Sequence, residues 1–172
     1  MNVRILTLLT AILAAAALRL APHPPNFTPI GAMALFSGAY LGRRGVVALA
    51  APLGALFLSD LVLGFYSGMA TVYFSVALIV VIGWLALRRI SPIRVGAAAI
   101  SSSVLFFLLT NFGVWLSSGF YPRTMDGLAA CYVAAIPFFQ NTVAGDLFYA
   151  AILFGGFALL ERKIPALRSR PA

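Results

Sequence analysis

Long apolar runs alternate along the chain with short polar punctuation. Residues 5–21 form a run rich in alanine and leucine. Residues 22–29 follow, where Pro22, Pro24, Pro25 and Pro29 each lack an N–H and crowd the preceding turn, so no helix runs through them. Ile30–Leu41 is a shorter apolar run, ended by Gly42-Arg43-Arg44. Runs at 46–66, 70–87 and 95–116 come next, the second closed by Arg88-Arg89. A polar break at 117–127 leads to a semi-apolar stretch at 128–139 and a last run at 142–160. The apolar residues are continuous rather than alternating, so the runs predict helices and not barrel strands. A bilayer core roughly 30 Å thick takes about 20 helical residues. The long runs meet that length, and Ile30–Leu41 falls short.

Charge decides whether the short run crosses. If it does, Arg4, Arg43, Arg44, Arg88, Arg89, Arg94, Arg162, Lys163, Arg168 and Arg170 share one side, and only Arg19 and Arg123 lie on the other. If it does not, the asymmetry largely collapses. The positive-inside rule therefore predicts an all-α membrane protein: a six-transmembrane-helix bundle with cytoplasmic N- and C-termini. Residues 128–139, interrupted by Pro137, are then expected as an extra interfacial or re-entrant helix on the outer side. Arg4 ahead of an apolar run resembles the start of a signal peptide, but Arg19, the prolines and the later apolar runs favour a retained first span.

Composition agrees. Hydrophobic residues make up 62% and charged residues 9%, against roughly 25% charged in a soluble domain. Such a chain has too few polar groups to face water, and residues 1–172 read as a single transmembrane domain. The net charge of +8 would point to nucleic acid in a soluble protein. Here the charges cluster at the ends of apolar runs, so they read as topology signals and nucleic acid is excluded as a partner. The single cysteine, Cys131, allows neither an internal disulfide nor a CxxC metal site.

On this topology the rare polar groups fall on one side. Asp60, Tyr66, Tyr73, Asn111, Trp115, Asn141 and Asp146 lie in the outer halves of their spans, and His23 and Asn26 in an outer loop. A charge at mid-membrane costs about 2.5–3.5 kcal/mol on insertion scales, so Asp60 and Asp146 must be near water, paired or protonated. Polar groups converging among apolar and aromatic walls describe a small-ligand site. The substrate-binding candidates are His23, Asn26, Asp60, Tyr73, Asn111, Trp115, Asn141 and Asp146. Each also has a plainer reading. Asp60 pairs with Arg19 or Arg123 at the rim; Asn141 and Asp146 cap and open the last span; Asn111 joins helices. Trp115 and the tyrosines form an interfacial belt, His23 is a loop residue, and Cys131 is a small buried hydrophobe. The one-sided distribution carries the functional reading. Ala11 and Ala15 form a small-xxx-small pair that either packs internally or docks a partner.

The stretches Pro24-Pro25-Asn26-Phe27-Thr28-Pro29-Ile30, Leu58-Ser59-Asp60-Leu61, Thr110-Asn111-Phe112-Gly113-Val114-Trp115-Leu116 and Ile136-Pro137-Phe138-Phe139-Gln140-Asn141-Thr142 resemble an uncharacterised bacterial family grouped with membrane transport proteins, without an established substrate. More distantly, the architecture is similar to the substrate-binding S components of energy-coupling-factor transporters. That resemblance implies a multi-pass protein of the bacterial plasma membrane, a vitamin-like or metal-containing solute in an outward-facing cavity, and a lid at 23–29. It also implies an energy-coupling transmembrane protein with ATPases, docked on Ala11 and Ala15. His23 or Cys131 would be the groups to touch a metal centre in such a solute.

The expected function is thus transport of a small water-soluble solute, without a cofactor or a metal of its own. A non-transporting accessory subunit or scaffold is the alternative. An intramembrane enzyme fits less well: Asp60 and Asp146 lack a Gly-x-Gly-Asp motif, and His23 has no spacing relation to Ser59 or Cys131. No Gly-x-x-x-x-Gly-Lys-Ser/Thr loop occurs, so this chain does not draw on ATP itself.

Overall fold

The computed structural model describes residues 2–168. Six helices form the fold: α1 (Val3–Ala17), α2 (Ile30–Leu41), α3 (Val46–Leu63), α4 (Met69–Ala86), α5 (Pro92–Ser117) and α6 (Met125–Lys163). Single 3-10 turns follow α1, α2 and α6. Caps set several starts. Asn2 accepts the Arg4 N–H at 3.0 Å, Ser91 accepts that of Arg94 at 3.3 Å, and Thr124 that of Gly127 at 3.2 Å. Five of the helices are long and apolar enough to cross a membrane. Their outward faces carry exposed Leu6, Leu13, Phe57, Leu58, Phe74, Val81 and Leu108, an apolar surface suited to lipid.

The sixth, α2, has 12 residues and spans about 18 Å. It is apolar all round, and a helix of that kind belongs in an interior. Residues Ala32, Met33, Ala34, Leu35, Phe36 and Ser37 are completely shielded, and every other helix touches α2. Its closest neighbour is α4. A Cβ on Gly38 would sit 2.0 Å from the Val80 carbonyl oxygen, and one on Gly83 2.4 Å from the Leu35 carbonyl oxygen. One on Gly42 would meet the Trp84 side chain at 2.3 Å. Gly38 and Gly83 therefore let two backbones touch, and Gly42 makes room for the Trp84 side chain, where lipid offers no hydrophobic drive and packing must hold helices together.

The start of α1 and the end of α6 lie at the same end of the bundle. The Arg4 guanidinium pairs with Glu161, donates to the Leu167 carbonyl, and sits over the rings of Tyr40 and Phe157 at 5.6 and 5.2 Å. Arg43 and Arg44 share a cleft with Arg4 and Arg168, and Arg43 shares a second with Arg88.

Two expectations are corrected. Residues 128–139 are not a separate interfacial or re-entrant helix. α6 runs without a break from Met125 to Lys163, 39 residues and about 58 Å, with Pro137 inside it. The proline forfeits one intrahelical hydrogen bond, and contacts with α5 support the segment around it. Tyr132 donates to the Leu108 carbonyl at 2.7 Å, the Cys131 thiol to the Asn111 carbonyl at 3.4 Å, and the Phe107 ring lies 4.9 Å from that of Phe139. It follows that Asn141 and Asp146 do not cap or open a helix; both lie in the middle of α6. On α1, Ala15 is buried in the chain's own core, with Ala11 half-buried beside it.

Candidate solute site

A cavity of about 370 Å³ lies at the end of the bundle away from the Arg4–Glu161 pair. Its wall draws on the loop after α1, the N-terminus of α2, the α3–α4 turn and the middle of α5 and α6. His23, Asn26 and Thr28 come from the loop, Tyr66 from the turn, Thr110 and Asn111 from α5, and Thr142 and Asp146 from α6. Phe106, Phe107 and Phe138 supply aromatic surface, and Arg19 the one positive charge.

The loop forms its wall because α6 holds it down. Asn141 Nδ2 donates to the Pro25 carbonyl at 2.9 Å, and the Phe27 ring lies 5.7 and 5.6 Å from those of Phe148 and Tyr149. Asn26 turns the chain with φ of 63°, a left-handed conformation that asparagine tolerates. His23 Nδ1 lies 3.0 Å from the Pro24 carbonyl oxygen, which leaves Nε2 without a partner in the loop.

Two carboxylates sit behind or in this wall, each solved differently. Asp60 is fully shielded, with Oδ1 2.9 Å from the Arg19 guanidinium and Oδ2 accepting from the Tyr73 hydroxyl at 2.9 Å. Oδ1 receives no aligned hydrogen bond, so its tie to Arg19 is chiefly coulombic. Arg19 also donates to the Ser59 hydroxyl. Asp146 has no basic partner among the described residues. Its Oδ2 accepts from the Ser103 hydroxyl at 2.6 Å, and the carboxylate packs on Gly31, where a Cβ would come within 2.3 Å of Oδ1. Gly31 is in the first turn of α2, whose N-cap is Pro29 and offers no side-chain acceptor. The Asp146 carboxylate thus faces the positive end of a buried half-length helix, supplying the negative charge that this terminus favours.

Of the residues singled out in the sequence, His23, Asn26, Asn111 and Asp146 line the cavity. Asp60 and Tyr73 stand one layer back and hold Arg19. Asn141 fastens the loop. Trp115 is outside the site, donating to the Pro122 carbonyl at 3.0 Å in the α5–α6 corner. Arg123 donates to the Leu116 carbonyl at 2.9 Å, leaving Arg19 as the partner of Asp60. Sequence reasoning did not pick out Thr28, Thr110, Thr142, Gly31 or Ser103. A hydroxyl in an apolar run commonly bonds the carbonyl one turn back, as Thr110 does to Phe106 at 2.7 Å, so it gives no signal of a site.

The Gly31→Ala protein tests the Asp146 cradle. The added methyl has no room unless the carboxylate moves, so a loss of about 1–3 kcal/mol is expected from overpacking. Gly145→Ala, whose Cβ would lie 3.1 Å from the Thr28 nitrogen, is expected to cost less. Thermal unfolding in detergent compares the two; a milder effect at Gly31 would contradict the cradle.

No curated protein and no solved structure matches the chain. A family model described as a family of unknown function, DUF6580, matches residues 1–167. That match covers nearly the whole of the 172-residue chain, which belongs to the DUF6580 family.

Proposed function

We propose that this protein is a membrane transport component that binds a small, polar organic solute in the cavity between the post-α1 loop and the middle of α5 and α6. The observation that carries the reading is the cavity itself: about 370 Å³, with guanidinium, carboxylate, amide and hydroxyl groups set among phenylalanines. Ligand sites have this make-up, in roughly this size range. The half-length α2, ending at the cavity, adds to it, because interrupted helices whose termini face a ligand recur in transporters. A vitamin-sized molecule with a flat ring and several hydrogen-bonding edges suits such a wall. The similarity to S components adds the expectation of a separate energy-coupling partner.

In this reading α2 crosses with the other five helices, both termini are cytoplasmic, and the cavity opens outward from the plasma membrane. The arginine-rich end then faces the cytoplasm, as the positive-inside rule requires. A fluorescent-protein fusion at the C-terminus should be bright and an alkaline-phosphatase fusion there inactive; the reverse pattern would invert the orientation and the direction of the cavity.

Binding is tested by thermal stabilisation against a panel of vitamins and related heterocycles. A ligand at 100 times its Kd stabilises by about 2.7 kcal/mol. One or more members should raise the unfolding temperature of the native protein, and Asn111→Leu and Thr142→Val should lose the shift while keeping their ligand-free stability. A shift that persists in both variants would place binding elsewhere.

A further inference from the structure

We propose that the arginine-rich end of the bundle carries a binding site for the headgroup of an anionic phospholipid, seated in the two clefts that flank Arg43. The proposal is independent of the solute cavity, which lies at the other end.

Charge arithmetic comes first. The chain has only four acidic residues, Asp60, Asp126, Asp146 and Glu161. Asp60 is held by Arg19, Asp146 is buried against Ser103 and Gly31, and Asp126 opens α6 at the opposite end. Among the described residues Glu161 is the one carboxylate near the arginines, and Arg4 takes it. Arg43, Arg44 and Arg88 have no carboxylate within ion-pair reach and donate no hydrogen bond among the described residues. Among the described residues no counter-charge faces them.

The clefts say what kind of counter-charge fits them. One, of about 780 Å³, joins Arg43 and Arg44 to Tyr40 and the apolar start of α1. The other, of about 540 Å³, places Arg43 and Arg88 beside Tyr40 and Trp84. Trp84, whose side chain packs on Gly42, is still 44% exposed, and Leu85 beside it in sequence is exposed as well. Each cleft thus joins guanidinium groups to apolar and aromatic surface at the end of a lipid-facing helix. That combination matches a phosphate attached to acyl chains better than a free anion. Guanidinium groups grip phosphate oxygens with paired donors, and basic residues at a membrane surface each favour anionic lipid about fivefold.

Trp84 reports on the site directly. Trp84 and Trp115 are the two tryptophans, so Trp115→Phe leaves Trp84 as the single fluorophore. That protein would be reconstituted in phosphatidylcholine vesicles containing brominated phosphatidylglycerol or brominated phosphatidylcholine, which quench tryptophan on contact. Quenching by the anionic lipid should show at least about a fivefold preference. Adding Arg43→Gln and Arg88→Gln should bring the preference close to unity, either change alone should lower it partway, and Arg123→Gln at the far end should leave it unchanged. Equal quenching by both lipids in the Trp115→Phe protein would overturn the proposal without any arginine variant. So would a preference that survives loss of both arginines. Equal quenching by both lipids, with Trp84 emission changed instead by inorganic phosphate but not by chloride of equal ionic strength, would assign the clefts to a soluble phosphate compound.

Discussion

The Gly38→Ala protein is expected to lose about 3 kcal/mol of stability, near the top of the range for overpacking a filled interior. One methyl group suffices because nothing flexible stands in its way. It would land 2.0 Å from the Val80 carbonyl oxygen and 2.8 Å from the Trp84 nitrogen, both backbone atoms of α4. Relief requires the two helices to separate, and α2 is enclosed by the remaining helices, so separation disturbs the whole core. The matched control is Gly54→Ala on α3, where a Cβ meets nothing within 4 Å. There the better helix propensity of alanine should leave stability unchanged or raise it by up to about 1 kcal/mol. Thermal unfolding in one detergent compares the pair; a similar response of both would mean that α2 and α4 do not touch at Gly38.

The second large effect belongs to the Arg19–Asp60 pair. Arg19→Met leaves a carboxylate with no exposure and no counter-charge, and breaking a buried pair in this way costs about 3–5 kcal/mol. Combining Arg19→Met with Asp60→Leu removes both charges. Apolar replacement of a buried pair is often neutral or favourable, so the double variant should recover most of the loss. Tyr73 and Ser59 then each lose a polar partner, which limits the recovery. A double variant as unstable as the single one would mean that Asp60 is not neutralised by Arg19. The double variant also separates packing from recognition: Arg19 is the only positive charge on the cavity wall, so it should fold yet bind an anionic or strongly hydrogen-bonding solute poorly.

Much of the fold was legible where punctuation is chemical. Pro29 and the Gly42-Arg43-Arg44 turn bound α2 in sequence just as they do in structure, because a proline fixes where a helix can begin and charged residues do not continue an apolar run. The merging of 128–139 into α6 was not legible. Gln140-Asn141 read as a break, yet Asn141 spends its amide on the Pro25 carbonyl, a partner far away in sequence. The close approach of α2 and α4 was hidden too, since a glycine pair in an apolar run does not announce which helix it admits. In the site, the gathering of His23, Asn26, Asn111 and Asp146 was foreseeable from polar residues confined to one half of the bundle. The partner of Asp146 was not. Ser101, Ser102 and Ser103 are consecutive and look alike, and only the rotation of α5 against α6 selects Ser103. Asp60 could have paired with Arg19 or Arg123 at the rim; it pairs with Arg19, and in the interior, while the place of Arg19 on the cavity wall depends on the loop folding down onto α6.

The most direct measurement is native mass spectrometry of the purified protein released from detergent, alone and with a panel of vitamins and related heterocycles. A solute site at the wall of Arg19, Asn111, Thr142 and Asp146 predicts one discrete small-molecule adduct, retained by the native protein and lost in folded Asn111→Leu and Thr142→Val variants. A mass free of adducts across the whole panel, or an adduct held equally by both variants, would contradict it.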